Sequence, residues 1–237
     1  MPLRALTLSA SFSGWFESGR NATRAPSAAL ADTPCAFCGI RSGKWQKPCD
    51  LDPDPDSDTS ANRAAACPLC ALVRHLERPR IDEEAALVWL PEMSQPAVNT
   101  LLREIHMQLR ALGEGLHAAG SFRLDTPDRR TLHHARAALA ARAGDAASRL
   151  GTGKPSELGS ALLRLPPAAQ ARRGALLGGL RLLPLGRFYE AGEDVYPVII
   201  DTWLALATPA GRSPASSPSA PPAASRPAPP DLAPGRE

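Results

Sequence analysis

Cys35-Ala-Phe-Cys38-Gly39 and Cys67-Pro-Leu-Cys70 are two C-x-x-C knuckles with 28 residues between them. A two-residue gap lets both sulfurs of a knuckle turn toward one point. Two such knuckles supply the four thiolates of a closed structural zinc site. Gly39 behind the first knuckle and Pro68 inside the second suit such tight turns. The alternatives are two disulfides or four unrelated buried thiols. A cytosolic chain disfavours disulfides, and paired knuckles with room for a hairpin between them favour metal over a redox motif. One structural zinc ion is therefore expected on Cys35, Cys38, Cys67 and Cys70, contributing its binding energy to the folding of the small lobe around it.

The intervening stretch runs Lys44-Trp45-Gln46-Lys47-Pro48-Cys49 and then Asp50-Leu51-Asp52-Pro53-Asp54-Pro55-Asp56-Ser57-Asp58. Alternating Asp and Pro cannot build a helix or a central strand, so this part is predicted to be a loop. Its acids do not fit the calcium-loop template. Counting from Asp52, the turn position is Ser57 instead of Gly and the twelfth is Arg63 instead of Glu. A solvated acidic loop is expected.

Taken together, the knuckles, Lys44-Trp45-Gln46 and the Leu51-Asp52 step resemble an HNH-type zinc module. They are more closely similar to the version in the IcmJ/DotN family of type IVB secretion systems. The stretch Ile81-Asp82-Glu83-Glu84-Ala85-Ala86-Leu87-Val88-Trp89-Leu90-Pro91-Glu92-Met93-Ser94-Gln95, then Asn99 and Ile105-His106, is the more diagnostic part of the likeness. A weaker echo lies at Gly178 to Phe188. The resemblance implies a treble-clef-like ββα lobe in a non-catalytic zinc-binding subunit of a secretion or conjugation coupling complex. It also implies docking on that system's coupling ATPase, where the subunit helps recruit or present protein substrates. The location implied is cytoplasmic, peripheral to the inner membrane only through the complex, with no specific nucleic acid bound.

A hydrolytic module of this type needs an imidazole to activate water and a ligand that holds a divalent ion against the phosphate. In the resembling motif a His-His pair precedes the Leu51-Asp52 step, where this chain has Cys49 and Asp50. A further His directly after the second knuckle is replaced by Ala71, leaving His75 one helical turn later. Aspartate is a poor base near neutrality, and thiolate is a poor match for magnesium. No enzymatic activity is expected. Two alternatives are an endonuclease with a rearranged centre at Cys49, Asp50, Asp52 and His75, and a zinc-ribbon nucleic-acid adaptor.

Composition agrees with a folded, non-membrane, non-basic chain. Of 237 residues, 43% are hydrophobic, ample for a core, and no run nears the ~20 apolar residues of a spanning helix. Thr7, Ser9, Ser11 and Ser13 interrupt any secretory apolar core at the start. The net charge of +3 lacks the footprint of a dedicated nucleic-acid binder. Nine of the 25 prolines fall between Pro209 and Pro234, in a Pro/Ala/Ser tail with no apolar period, which predicts disorder over 209–237.

The remainder is predicted as a helical scaffold. Glu84 to Leu90 reads as a strand or extended segment. Ser94 caps a helix whose apolar stripe is Val98, Leu101, Leu102, Ile105, Leu109 and Leu112, with Arg103 off the stripe and His106 at its border. A second helix opens at Asp125 or Thr126 with Pro127 in its first turn and runs to Arg142 or Leu150. His133-His134 diverge by about 100° on a helix and are expected to be exposed rather than a metal pair. Ser156 caps a short helix, Pro166-Pro167 breaks the chain before another to Leu177, and a helix from Pro197 partly buries Val198, Ile199, Trp203 and Leu206. The expected class is α+β: zinc module and following helix over 1–120, helical region over 121–208, tail over 209–237.

Overall fold

The computed structural model describes residues 3–11, 28–51, 62–116 and 124–207. The acids Asp52 to Asp58 and the predicted tail lie outside these residues. The described residues, up to Ala207, belong to one compact unit. The described part mixes helices with small antiparallel sheets.

Helix α1 (Ala28–Ala31) precedes the first knuckle and a 3-10 turn (Gly43–Trp45) follows it. Strands β1 (Lys47–Asp50) and β2 (Arg63–Ala66) pair antiparallel, Lys47 opposite Ala66 and Asp50 opposite Arg63. The spacer between the knuckles thus forms a hairpin. Helix α2 (Pro68–Arg74) begins on the second knuckle, and every one of its residues is buried.

Helix α3 (Ile81–Glu84) leads into β3 (Ala85–Trp89), close to the predicted extended segment. Helix α4 (Gln95–Ala111) starts as expected: Ser94 Oγ accepts from the Ala97 amide at 3.4 Å, and Pro96 lies in the first turn. Val98, Leu102, Ile105 and Leu109 are buried, but Leu101 is 37% exposed and Arg103 is buried. Gln95, Asn99 and His106 are buried too, because α4 is packed on several sides instead of presenting one stripe.

Helix α5 (Pro127–Ala140) is capped by Thr126, whose Oγ1 accepts from the Arg129 amide. It stops short of the predicted end. Helix α6 (Ala143–Leu150) is separate and closes on Gly151 at φ +76°, the left-handed position that glycine fills without strain. In α7 (Pro155–Leu162) the capping position is Lys154, not Ser156. Ser156 instead donates its amide and hydroxyl to the Asp82 carboxylate at 2.8 and 2.6 Å, placing an acid from α3 at the positive end of α7. The predicted single helix to Leu177 is two short ones, α8 (Pro167–Ala171) and α9 (Arg173–Leu176), broken at Arg172.

Strand β4 (Leu180–Pro184) pairs antiparallel with β3, Ala85 opposite Pro184 and Trp89 opposite Leu180. The Gln95 side chain bonds both backbone groups of Leu182, its Nε2 to the carbonyl and its Oε1 to the amide, each at 2.8 Å. An amide side chain thereby completes the free edge of β4. Strands β5 (Tyr189–Glu190) and β6 (Glu193–Asp194) form a small hairpin around Ala191 and Gly192, at φ +49° and +85°, as two-residue loops with both centres left-handed require.

Helix α10 (Tyr196–Ala207) buries Tyr196, Ile199, Ile200 and Trp203. Val198 and Leu206, expected to be partly covered, are 49% and 55% exposed because they lie off that face. Phe37, Leu69, Leu72, Leu109, Phe188 and Trp203 belong to one core. The hairpin, α2 and the later helices therefore share a single interior. No helix among the described residues is long and apolar enough to cross a membrane.

Candidate metal centre

The four cysteines of the two knuckles converge. The Sγ atoms of Cys35, Cys38, Cys67 and Cys70 all lie within 4.8 Å of one another, an arrangement that can hold a metal ion. Cys35, Cys67 and Cys70 are buried and Cys38 is partly exposed. All five cysteines are free thiols, so the expected alternative of two disulfides is not present, and the convergence of four sulfurs speaks against unrelated thiols.

Local backbone structure explains the convergence. In the first knuckle the Cys35 amide donates to the Ile40 carbonyl and the Gly39 amide to the Cys35 carbonyl, at 2.8 and 2.9 Å. Gly39 sits at φ +77°, so the loop reverses there. The Ala36 amide donates to the Ala65 carbonyl and anchors the knuckle to β2. In the second knuckle Cys67 is the residue before α2, Pro68 occupies the first turn, and the Ala71 amide donates to the Cys67 carbonyl. Helical spacing then brings Cys67 and Cys70 to the same side of the first turn. Cys38 Sγ comes within 3.6 Å of Cys67 Sγ. Two indoles clasp α10 to the loop after the first knuckle: Trp203 Nε1 donates to Ser42 Oγ and Trp45 Nε1 to Thr202 Oγ1.

The sulfurs titrate as a set. Hydrogen bonding from Cys38, then Cys67 and Cys70, pushes the Cys35 thiol down against its burial. Burial, with hydrogen bonding to Cys35 and Cys38, pushes Cys67 up. Thiols packed this closely cannot ionise independently. A divalent cation among them supplies the charge that lets all four be thiolates.

Behind the sulfurs lies a polar chain that the motif does not announce. Asn99 Nδ2 donates to Cys70 Sγ at 3.5 Å, Gln95 Nε2 donates to Asn99 Oδ1 at 2.9 Å, and Gln95 also holds Leu182 in β4. The signal in the sequence is a polar i, i+4 pair, Gln95 and Asn99, on the side of α4 that a core would claim.

The residues expected at a rearranged hydrolytic centre are placed as follows. Cys49 is buried within β1, with its Sγ 3.5 Å from the Asp50 carbonyl. Arg74 Nη2 donates to the carbonyls of Asp50 and Leu51 at 2.9 and 2.8 Å. Ala71 is wholly buried in the core, and Asp52 lies outside the described residues. His75 ends α2, its Nδ1 2.7 Å from Glu77 Oε1. Burial opposes charge on His75, but hydrogen bonding to Cys49 and Glu77 outweighs it and raises the imidazole to about 9.

The other histidines stand apart. His106 Nδ1 meets the Tyr196 hydroxyl at 2.8 Å, and burial, with Arg136 nearby, lowers it to about 3. His133, expected on the surface, is buried, with Nε2 4.0 Å from Glu114 Oε2. Its neighbour His134 is exposed, so the adjacent pair does not form one site.

No protein-family model matches the chain, and no curated protein is similar to it.

Proposed function

We propose that this chain is a non-catalytic zinc-binding subunit of a type IVB secretion or conjugation coupling complex, docked on the coupling ATPase and helping to recruit or present protein substrates. Its lobe reads as an HNH or treble-clef-like ββα unit, with one knuckle before β1 and the other opening α2. Four thiolates in a closed, largely buried cluster suit a structural zinc ion.

One observation carries the non-catalytic reading. At the rim where the hairpin end meets α2, a fixed guanidinium from Arg74 takes the carbonyls of Asp50 and Leu51. A cation permanently bonded there serves packing, and the neighbouring Ala71 offers no ligand. The partner is argued from the likeness at Ile81–Gln95, Asn99 and Ile105-His106, and the cytoplasmic location at the inner membrane follows from that partner.

Affinity capture of the full chain from its native cells tests the assignment. Co-recovery of the coupling ATPase, in an amount that rises with that ATPase's expression, is the expected result. A capture that repeatedly lacks it overturns the secretion role while leaving the metal centre untouched.

A further inference from the structure

Away from the metal centre, α5 and the end of β4 line a cavity of about 380 Å³. Small-molecule sites span about 300–1,000 Å³ and are mostly apolar, with a few polar groups that fix orientation. Leu183 and Pro184 form the buried part of the lining, and Ala137 and Ala140 line it from α5. Leu124, 46% exposed, stands at its mouth. The polar lining is His133, His134 and Arg136, and no carboxylate among the described residues lines the cavity.

The guanidinium is held in place. Arg136 Nη1 donates to the Leu116 carbonyl at 2.9 Å. Gly186 lets that carbonyl approach, since a Cβ there would collide with it. A carbonyl fixes the guanidinium but does not neutralise it. Its charge reaches the neighbouring rings: burial, and then Arg136, lower both His106 and His133 from the ordinary imidazole value. Glu114 lies beside His133, Oε2 at 4.0 Å from Nε2, but its other oxygen is ion-paired to Arg129 Nε at 3.1 Å.

We propose that this cavity binds a small amphipathic carboxylate, its alkyl or aryl body on Leu183, Pro184 and Ala137 and its carboxylate at Arg136. The planar guanidinium matches a carboxylate in shape and charge, while the apolar walls favour a body without further polar groups. An extended peptide adding a strand would need a free sheet edge. Here Gln95 takes both backbone groups of Leu182, and the Leu185 amide donates to the Glu84 carbonyl at 2.8 Å. This inference does not depend on the secretion role.

Isothermal titration calorimetry on the full chain, purified without chelator, tests it with decanoate and with decan-1-ol as the uncharged counterpart. Decanoate is expected to bind saturably, at least about tenfold tighter than decanol, as a hydrogen bond to a charged group warrants. Arg136→Gln brings decanoate down to the decanol affinity. Ala137→Trp, at an exposed position of α5, fills the cavity and abolishes binding of both. Melting temperature and far-UV circular dichroism confirm that the variants are folded. If Arg136→Gln is not, the wild-type ratio and Ala137→Trp decide. Absence of saturable decanoate binding, equal affinities for the two probes, or binding that survives Ala137→Trp overturns the proposal. So does a dimer, seen by sedimentation, that Ala137→Trp dissociates and decanoate does not, which gives the cavity to a second copy of the chain.

Discussion

Arg74 is joined to Asp50 through the backbone: its guanidinium Nη2 donates to the Asp50 carbonyl at 2.9 Å, and to that of Leu51 at 2.8 Å. The side chain is 5% exposed, so the bonds are made almost out of water. Arg74 thereby pins the end of β1 to the end of α2. Plasmid cleavage with magnesium, manganese or nickel is predicted to be absent in the wild type and in Asp50→Ala alike. Cation-dependent cleavage that disappears in Asp50→Ala would restore the nuclease alternative. Arg74→Met strands two carbonyls and is expected to cost about 1–3 kcal/mol of stability, read by denaturant unfolding.

Asn99 supports the metal centre from α4. Partners that hydrogen-bond a ligand orient it and tune its affinity, and their loss typically costs about 10–100-fold in metal binding. Asn99→Ala, leaving Cys70 without its 3.5 Å donor, is predicted to weaken metal affinity within that range, measured by chelator competition. An unchanged affinity would reduce the Asn99 contact to simple packing.

Two buried histidines set opposite limbs of the stability curve. His75 is held at about 9, above its ordinary 6.5. Its contribution is complete below pH 6.5 and is lost as pH rises toward 9. His106 is held near 3 by burial. The unfolded chain takes up its proton below 6.5 while the native one does not, so stability falls as pH drops from 6.5 toward 3. Each limb has a slope of at most about 1.4 kcal/mol per pH unit, and stability is predicted to peak near pH 6.5. Chemical denaturation across pH checks this: His106→Gln flattens the acid limb and His75→Gln the alkaline one.

The site's ligands were legible because cysteine spacing carries its geometry with it: two residues between sulfurs, a turn-former beside each pair, and room for a hairpin between them. Helix starts at Ser94 and Thr126 were equally legible, since a capping hydroxyl and a following proline are local chemistry. Long-range facts were not. Nothing near Leu180 to Pro184 marks a strand, because its ladder partner is Ala85 to Trp89, far away in the chain. Burial of His133, and exposure of Val198 and Leu206, depend on which neighbours pack against each helix. Ser156 misled because the group bonding it, Asp82, comes from another element.

The central claim is that Cys35, Cys38, Cys67 and Cys70 hold one zinc ion that staples the hairpin to α2. Since α2 is buried along its whole length in the common core, the staple should secure the whole described unit and not one lobe. Metal analysis by inductively coupled plasma mass spectrometry, on full-length protein prepared without chelator, tests this directly. One zinc per chain is predicted in the wild type, and its loss in Cys38→Ser, with one cooperative drop in melting temperature. Protein that is folded yet carries no metal, or a Cys38→Ser variant that keeps its zinc and its melting temperature, would contradict the account.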